Sequence, residues 1–282
     1  MITSTIKKVA VAAFTFAAIT ASAQQLKVPA PSPSQTIKQA FALSDITVEY
    51  SRPGVKGRVV FGDVVPFGKV WRTGANAATQ ITFGEDVTVE GNAVKAGTYA
   101  LYTIPNKDKW EIMLYKDLKL GGNVNDYNKE NEVVRFTVKP ATQSTKTETF
   151  TINIADVTSS TANVELIWDQ TKVSFKVQAD IDSKIMKNID ASLANDTRPY
   201  HQAASYYYEN NKDLKQALDW ANKATDNNPK AFWMWMLKAK IQAKLGEKKA
   251  AVETAQNVIL LAKEAKNDDY VKMAEKLIAE NK

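Results

Sequence analysis

The sequence predicts two folding units: a mainly β domain of sandwich or jelly-roll type, followed by a small all-α domain of helical repeats. Three observations carry that prediction. From about Ile46 to Ala179, short runs rich in β-branched and aromatic residues alternate with polar ones and are punctuated by Gly, Pro, Asn and Asp, the pattern of half-buried strands joined by tight turns. After Asp180 that alternation stops, and Ala, Lys, Leu and Glu dominate from about Pro199 to Lys282, a composition that favours helix. Within this second part Asn211 to Ala217 aligns with Leu245 to Ala251 at a shift of 34 residues, the period of a tetratricopeptide repeat.

The elements follow in chain order. Lys7 and Lys8 precede an apolar run from Val9 to about Thr20 and the small residues Ala21-Ser22-Ala23, so residues 1–23 are expected to be a secretory signal peptide cleaved before Gln24. The apolar run falls short of the ~20 residues a bilayer-spanning helix needs, and the chain has no cysteine to acylate after cleavage. The expected product is exported, periplasmic or extracellular, and soluble once the signal is removed. Residues 24–45 read as a linker and N-terminal arm, because Pro29, Pro31 and Pro33 lie among small polar residues and such a composition stays extended and solvated.

The β domain is placed at residues 46–179. Its expected strands are Thr47–Ser51, Val70–Thr73, Gln80–Phe83, Val87–Glu90, Thr98–Ile104, Trp110–Tyr115, Val133–Lys139, Thr149–Ile154, Val164–Trp168 and Val173–Val177. Glu90-Gly91-Asn92-Ala93 reads as a tight hairpin turn and Asp169-Gln170 as a second short connection. Many short strands without intervening helices imply antiparallel pairing.

A connector at 180–198 leads to the helical domain at 199–282. Leu214, Leu218 and Ala221 share one helical face, as do Trp233, Leu237, Ile241 and Leu245. Ala217 and Ala224 in the first repeat, matched by Ala251 and Val258 in the second, are small enough for paired helices to approach; Pro229 stands at the usual terminal proline and Trp235 at the usual aromatic position. The match is partial, since His201 and Lys263 occupy the other aromatic and proline positions. Two copies are fewer than the three or so of a free-standing solenoid, so the helices should pack on the β domain or a partner. In the run Ala231 to Lys240 six successive apolar residues cover every side of a helix, and the run Tyr206-Tyr207-Tyr208 likewise splits between core and surface, which makes Trp235, Met236 and Tyr207 the candidate partner-binding residues.

Composition excludes several chemistries. The absence of cysteine removes thiol catalysis and thiolate metal sites, and a single histidine, His201, removes a multi-histidine zinc site. After loss of Lys7 and Lys8, 35 basic residues face 31 acidic ones, a balance of +4 that, with export, argues against nucleic acid. The oxygen-rich loop Gly121 to Glu132 does not match the ligand spacing of a calcium-binding helical hand and reads as a solvated loop. Neither a cofactor nor a metal is expected.

Between Thr47 and Gln80 five basic residues, Arg52, Lys56, Arg58, Lys69 and Arg72, outnumber the acidic Glu49 and Asp63. Folded onto one end, the guanidinium groups and the free N–H groups around Gly74-Ala75-Asn76 would suit a carboxylate, phosphate or sulfate. The structural reading, which such charges more often follow, is that Arg72 and Arg58 pair with internal carboxylates and that Gly74 and Asn76 only permit a turn of positive φ. On the ligand reading, Arg58, Arg72, Asn76, Arg52 and Lys56 are the candidate ligand-binding set.

The runs from Tyr50 to Phe83 ("YSRPGVKGRVVFGDVVPFGKVWRTGANAATQITF"), Ala96 to Pro105, Lys109 to Lys116 and Asn131 to Pro140 resemble a bacterial family known as domain of unknown function 2911. The resemblance spans Ile46 to Ala179. It implies an export signal and, in some members, helical repeats after the β domain, and it implies no reaction. The expected function is thus a periplasmic binding or interaction module, with a polar or anionic ligand on the β domain and protein on the helices. The alternative is a carboxylate-dependent hydrolase acting on envelope or imported polymer. A cleft with two facing carboxylates and no arginine between them would favour the enzyme; one lined by Arg58, Arg72 and Asn76 would favour anion binding.

Overall fold

The computed structural model describes residues 28–194 and 199–282; the expected signal peptide lies outside the described residues. Ten strands are followed by six helices. The strands are β1 (Ser34–Phe41), β2 (Ser44–Ser51), β3 (Thr79–Phe83), β4 (Val87–Val89), β5 (Asn92–Val94), β6 (Gly97–Ile104), β7 (Trp110–Tyr115), β8 (Glu132–Val138), β9 (Ala141–Ala155) and β10 (Thr161–Gln178). They form two antiparallel sheets, one of six strands in the order β1-β2-β3-β6-β7-β8 and one of four in the order β5-β4-β10-β9.

The period-2 pattern explains the core. Val48, Ile81, Leu101 and Ile112 from the first sheet and Ile152, Val164, Leu166 and Phe175 from the second are buried in one apolar cluster. Aromatic rings fill its end, where Trp71 stacks on Trp168 at 5.9 Å and Phe61 meets Trp110 edge-on at 4.9 Å. The opposite face of the six-stranded sheet carries Ala100, Tyr102, Met113 and Tyr115, and it is roofed by Leu120, Val124 and Tyr127 of the loop between β7 and β8. That second, smaller cluster positions the candidate site below.

Several elements differ from expectation for identifiable reasons. β1 lies inside the stretch read as linker and arm. It is an edge strand that fully buries only Phe41, so its alternation is weak; pairing with β2 from Ser34↔Ser51 to Phe41↔Ser44 holds it. Val70–Thr73 does not form a strand. It makes one bridge, Trp71 to Thr103, because Thr73 and Gly74 take positive φ values of 54° and 155°. The turn expected at Asp169-Gln170 is instead a bulge inside the continuous β10, with Asp169 at φ 54° and register shifts against β9. Buried positions switch from even numbers (Val164, Leu166, Trp168) to odd ones (Val173, Phe175, Val177) across it. A bulge accommodates such a parity change without ending the strand.

The helices are α1 (Asp182–Ala194), α2 (Tyr200–Glu209), α3 (Leu214–Asn227), α4 (Phe232–Lys244), α5 (Lys248–Glu264) and α6 (Asp268–Asn281). α1 occupies most of the expected connector. It joins the two parts: Ile185 packs against both the β core and the first helical cluster, Lys184 pairs with Glu85 at 2.7 Å, and Asp182 receives Tyr206 Oη at 2.7 Å and Lys212 Nζ at 2.6 Å. Asp213 caps the start of α3: its carboxylate accepts from the backbone N–H of Lys215 and Gln216, satisfying donors a helix start leaves open. Asn267 caps α6, its side chain accepting from Tyr270 N–H, and Asp268 and Asp269 follow in the first turn, where the helix dipole favours negative charge. Ala204, Ala217, Ala239, Ala251, Ala255 and Ala274 are fully buried, so the helix backbones approach closely. No helix among the described residues is long and apolar enough to cross a membrane.

Candidate functional site

The first candidate is the bend from Trp71 to Thr79. Trp71 exchanges both backbone bonds with Thr103, at 2.7 and 2.9 Å, and its indole N–H donates to Gly74 O at 3.0 Å. The chain then reverses through Thr73, a fully buried β-branched residue at φ 54°. Left-handed backbone is costly for such a residue, and local bonds hold it: Thr73 Oγ1 lies within hydrogen-bond distance of Trp71 O and Thr103 Oγ1, and Thr79 Oγ1 donates to Thr73 O. A side chain at Gly74 would be strained, because its φ is 155° and a Cβ would sit 3.0 Å from Ser51 O.

The loop after β7 closes over this bend. Arg72 Nη1 donates to Gly122 O at 2.9 Å and Tyr102 Oη to Gly121 O at 2.7 Å. Gly122 lies so close that a Cβ on it would fall 2.1 Å from Asn76 O. Burial, reinforced by the neighbouring Tyr115 and Asp117, pushes the Tyr102 hydroxyl up to about 12, so it stays a donor. Asn76, at φ 60°, donates from Nδ2 to Ser32 O and Ser51 Oγ, both at 3.3 Å, and so ties down the segment before β1.

Each of the five residues proposed as an anion set donates to an oxygen of the protein itself. Arg52 donates to Phe150 O at 3.0 Å and Thr151 Oγ1 at 2.8 Å, joining β2 to β9. Arg58 donates to Val55 O and Gly54 O, closing its own turn. Lys56 gives its backbone N–H to Glu148 and its ammonium to Pro31 O. Arg72 bonds Gly122 O, and its Nε is buried without a partner. A hollow of about 240 Å³ does open beside Asn76, but Ser34, Gln35, Glu49, Ser51 and Gln80 line it and none of the four cations does. Its chemistry suits a neutral polar group better than an anion.

The oxygen-rich loop spends its oxygens locally. Asn123 Oδ1 accepts from Asn125 N–H, Asn128 Oδ1 from Glu130 N–H, and Glu132 from Tyr127 Oη at 3.0 Å. Burial and that bond to Glu132 raise the Tyr127 hydroxyl far above its ordinary value. Glu132 and Glu111 do face each other, but Arg135 stands between them and bonds both; its guanidinium holds Glu132 below the usual carboxylate range. Among the described residues no cluster of three or more His, Asp or Glu side chains is arranged to hold a metal ion.

The second candidate is on the helices. Two adjoining hollows, of about 440 and 320 Å³, run between α2, α4 and α6 and share Tyr208, Met236, Lys240 and Met273. Of the expected partner-binding residues, Met236 forms part of this groove although it is only 3% exposed. Trp235 turns into the cluster with α5 and α6, its indole bonded to Pro229 O at 2.9 Å and Lys238 over its ring. Tyr207 packs edge-on against Trp220 at 4.7 Å. The aromatic residues at the groove are instead Tyr208, Tyr270 and Trp233, the last 44% exposed. The sequence groups Trp233 with Leu237 and Ile241 and leaves Trp235 to a partner, but an all-apolar run fixes no helical phase, and the assignment is the reverse of the one the packing makes. His201 lines the second hollow with Nδ1 buried and unpartnered; burial lowers its imidazole below the ordinary value, opposed by the Glu209 charge.

Neither the curated proteins nor the solved structures include a match to this chain. A family model described as a protein of unknown function (DUF2911) matches residues 32–177, which takes in β1, the Trp71–Thr79 bend, the loop that presses on it and all but the last residue of β10. With just over half of its length inside that match, the chain belongs to the DUF2911 family.

Proposed function

We propose that this protein is an exported binding module, periplasmic or extracellular, in which a sandwich-like β domain holds a small polar ligand and helix pairs of tetratricopeptide type engage a protein. The observation that carries the reading is the groove between α2, α4 and α6: a continuous concavity with an apolar floor and polar rim, of the size and mixed lining expected of a recognition site. The spacing of the helices supports the repeat assignment. α3 and α5 begin 34 residues apart, at Leu214 and Lys248, and the small residues Ala217 and Ala251 are both fully buried.

Arg52, Lys56, Arg58 and Arg72 each donate to a backbone carbonyl, which favours a polar over an anionic ligand on the β domain. The hydrolase alternative has weaker support, because the facing carboxylates Glu111 and Glu132 are bridged by Arg135. A direct test is thermal unfolding of the chain with a pool of mixed-sequence peptides, repeated with Met273→Glu. A ligand at ~100 times its dissociation constant adds about 2.7 kcal/mol; the expected result is a raised midpoint that the substitution abolishes. No rise in the unsubstituted protein would refute the groove's role.

A further inference from the structure

We propose that the groove takes an extended peptide bearing a carboxylate, which pairs with Lys240, while a flanking apolar side chain lies on Met236 and Met273. This deepens the groove reading above and rests on it.

The charges around the groove single out Lys240. Three lysines line it. Lys244 donates to Tyr208 O at 3.2 Å and Asn211 Oδ1 at 2.5 Å, and its ammonium lies 4.7 Å from the Tyr208 ring centre. Lys276 sits 3.8 Å from Glu280. Glu209, the other groove carboxylate, accepts from Ser205 Oγ at 2.9 Å. Lys240 borders both hollows, is half-buried, and has neither a hydrogen-bond acceptor nor an ion-pair partner among the described residues. Three lysines against Glu209 and Glu280 give the groove a net charge of +1, and Lys240, which borders both hollows, is the lysine left without a partner among the described residues. A half-buried ammonium over an apolar floor loses hydration without compensation, and a carboxylate supplies the charge-assisted bond it lacks.

The floor sets the rest of the ligand. Met236 and Met273 form an adaptable apolar surface, and Trp233 and Tyr270 extend it along the second hollow. In an extended peptide, side chains on one face recur about every 7 Å, so residues two apart can enter the hollows on either side of Lys240. One compact ammonium without an arginine fork suits a carboxylate better than a run of phosphates.

The test uses the full mature chain and three labelled heptapeptides that alternate Leu with Glu, with Gln or with Lys, read by fluorescence polarisation. The Glu peptide is expected to bind at least about fivefold more tightly than the Gln peptide, with the margin shrinking as salt rises. In Lys240→Gln, which keeps helix propensity, the margin should vanish while Gln-peptide affinity holds. Equal binding of Glu and Gln peptides to the unsubstituted chain, or a margin that survives in Lys240→Gln, would overturn the acidic class and leave the groove reading intact. Failure of all three peptides to bind would overturn both.

Discussion

Substituting Gly122 with Ala tests whether the loop after β7 clamps the Trp71–Thr79 bend. The added Cβ would stand 2.1 Å from Asn76 O and 3.3 Å from Arg72 Cδ. That first contact is about 1.3 Å short of an ordinary one, far inside the repulsive wall, and its partner is backbone that cannot swing aside. Overpacking of this kind costs about 1–3 kcal/mol. The loop's retreat would also stretch the Arg72–Gly122 and Tyr102–Gly121 bonds. Leaving the buried Tyr102 hydroxyl without its acceptor adds about 1–3 kcal/mol. The expected loss is about 3–4 kcal/mol, read from urea unfolding of the β domain followed by tryptophan fluorescence, with the slope unchanged. Gly57→Ala is the matched control: Gly57 has φ 72° and no atom within 4 Å of the added Cβ, so only the left-handed backbone cost of about 1–2 kcal/mol applies. If Gly122→Ala lost no more stability than Gly57→Ala, the loop would not be clamping the bend.

Two further outcomes follow from the same geometry. Asn76→Ala should cost about 1 kcal/mol, because Ala tolerates φ 60° poorly and the bonds to Ser32 and Ser51 are lost, whereas Asn76→Gly keeps the backbone preference and should cost less; equal losses would show that the side-chain bonds alone matter. His201, neutral when buried, has a folded value below the ordinary 6.5, so the unfolded chain binds the extra proton first. Its contribution to stability is present above pH 6.5 and lost as pH falls from there through the lowered folded value. Midpoint-versus-pH curves should show that step, and His201→Gln should remove it; superimposable curves would contradict the burial of the imidazole.

The chemistry of individual side chains was legible in the sequence wherever a local rule governed it. The period-2 runs located most of the strands, as in Trp110–Tyr115, and the change to Ala- and Leu-rich segments after Asp180 located the helices, because burial on one face imposes its period on the chain. The tertiary structure alone decided what joins what. Arg72 and Arg58 read from the sequence as ligands for an anion or partners of internal carboxylates, yet their acceptors are carbonyls: for Arg72, that of Gly122, fifty residues away. β1 escaped notice because an edge strand buries little and is held by its partner, and Asp169 read as a turn because a bulge has the same local signature. Trp233 and Trp235 differ only in which side of α4 meets α5, a choice made by packing. The sequence by itself determined the periods, the turns and the absent chemistries, all set by interactions a few residues long. Which polar groups satisfy each other, and which are left facing a groove, is set by long-range contacts that no local pattern encodes.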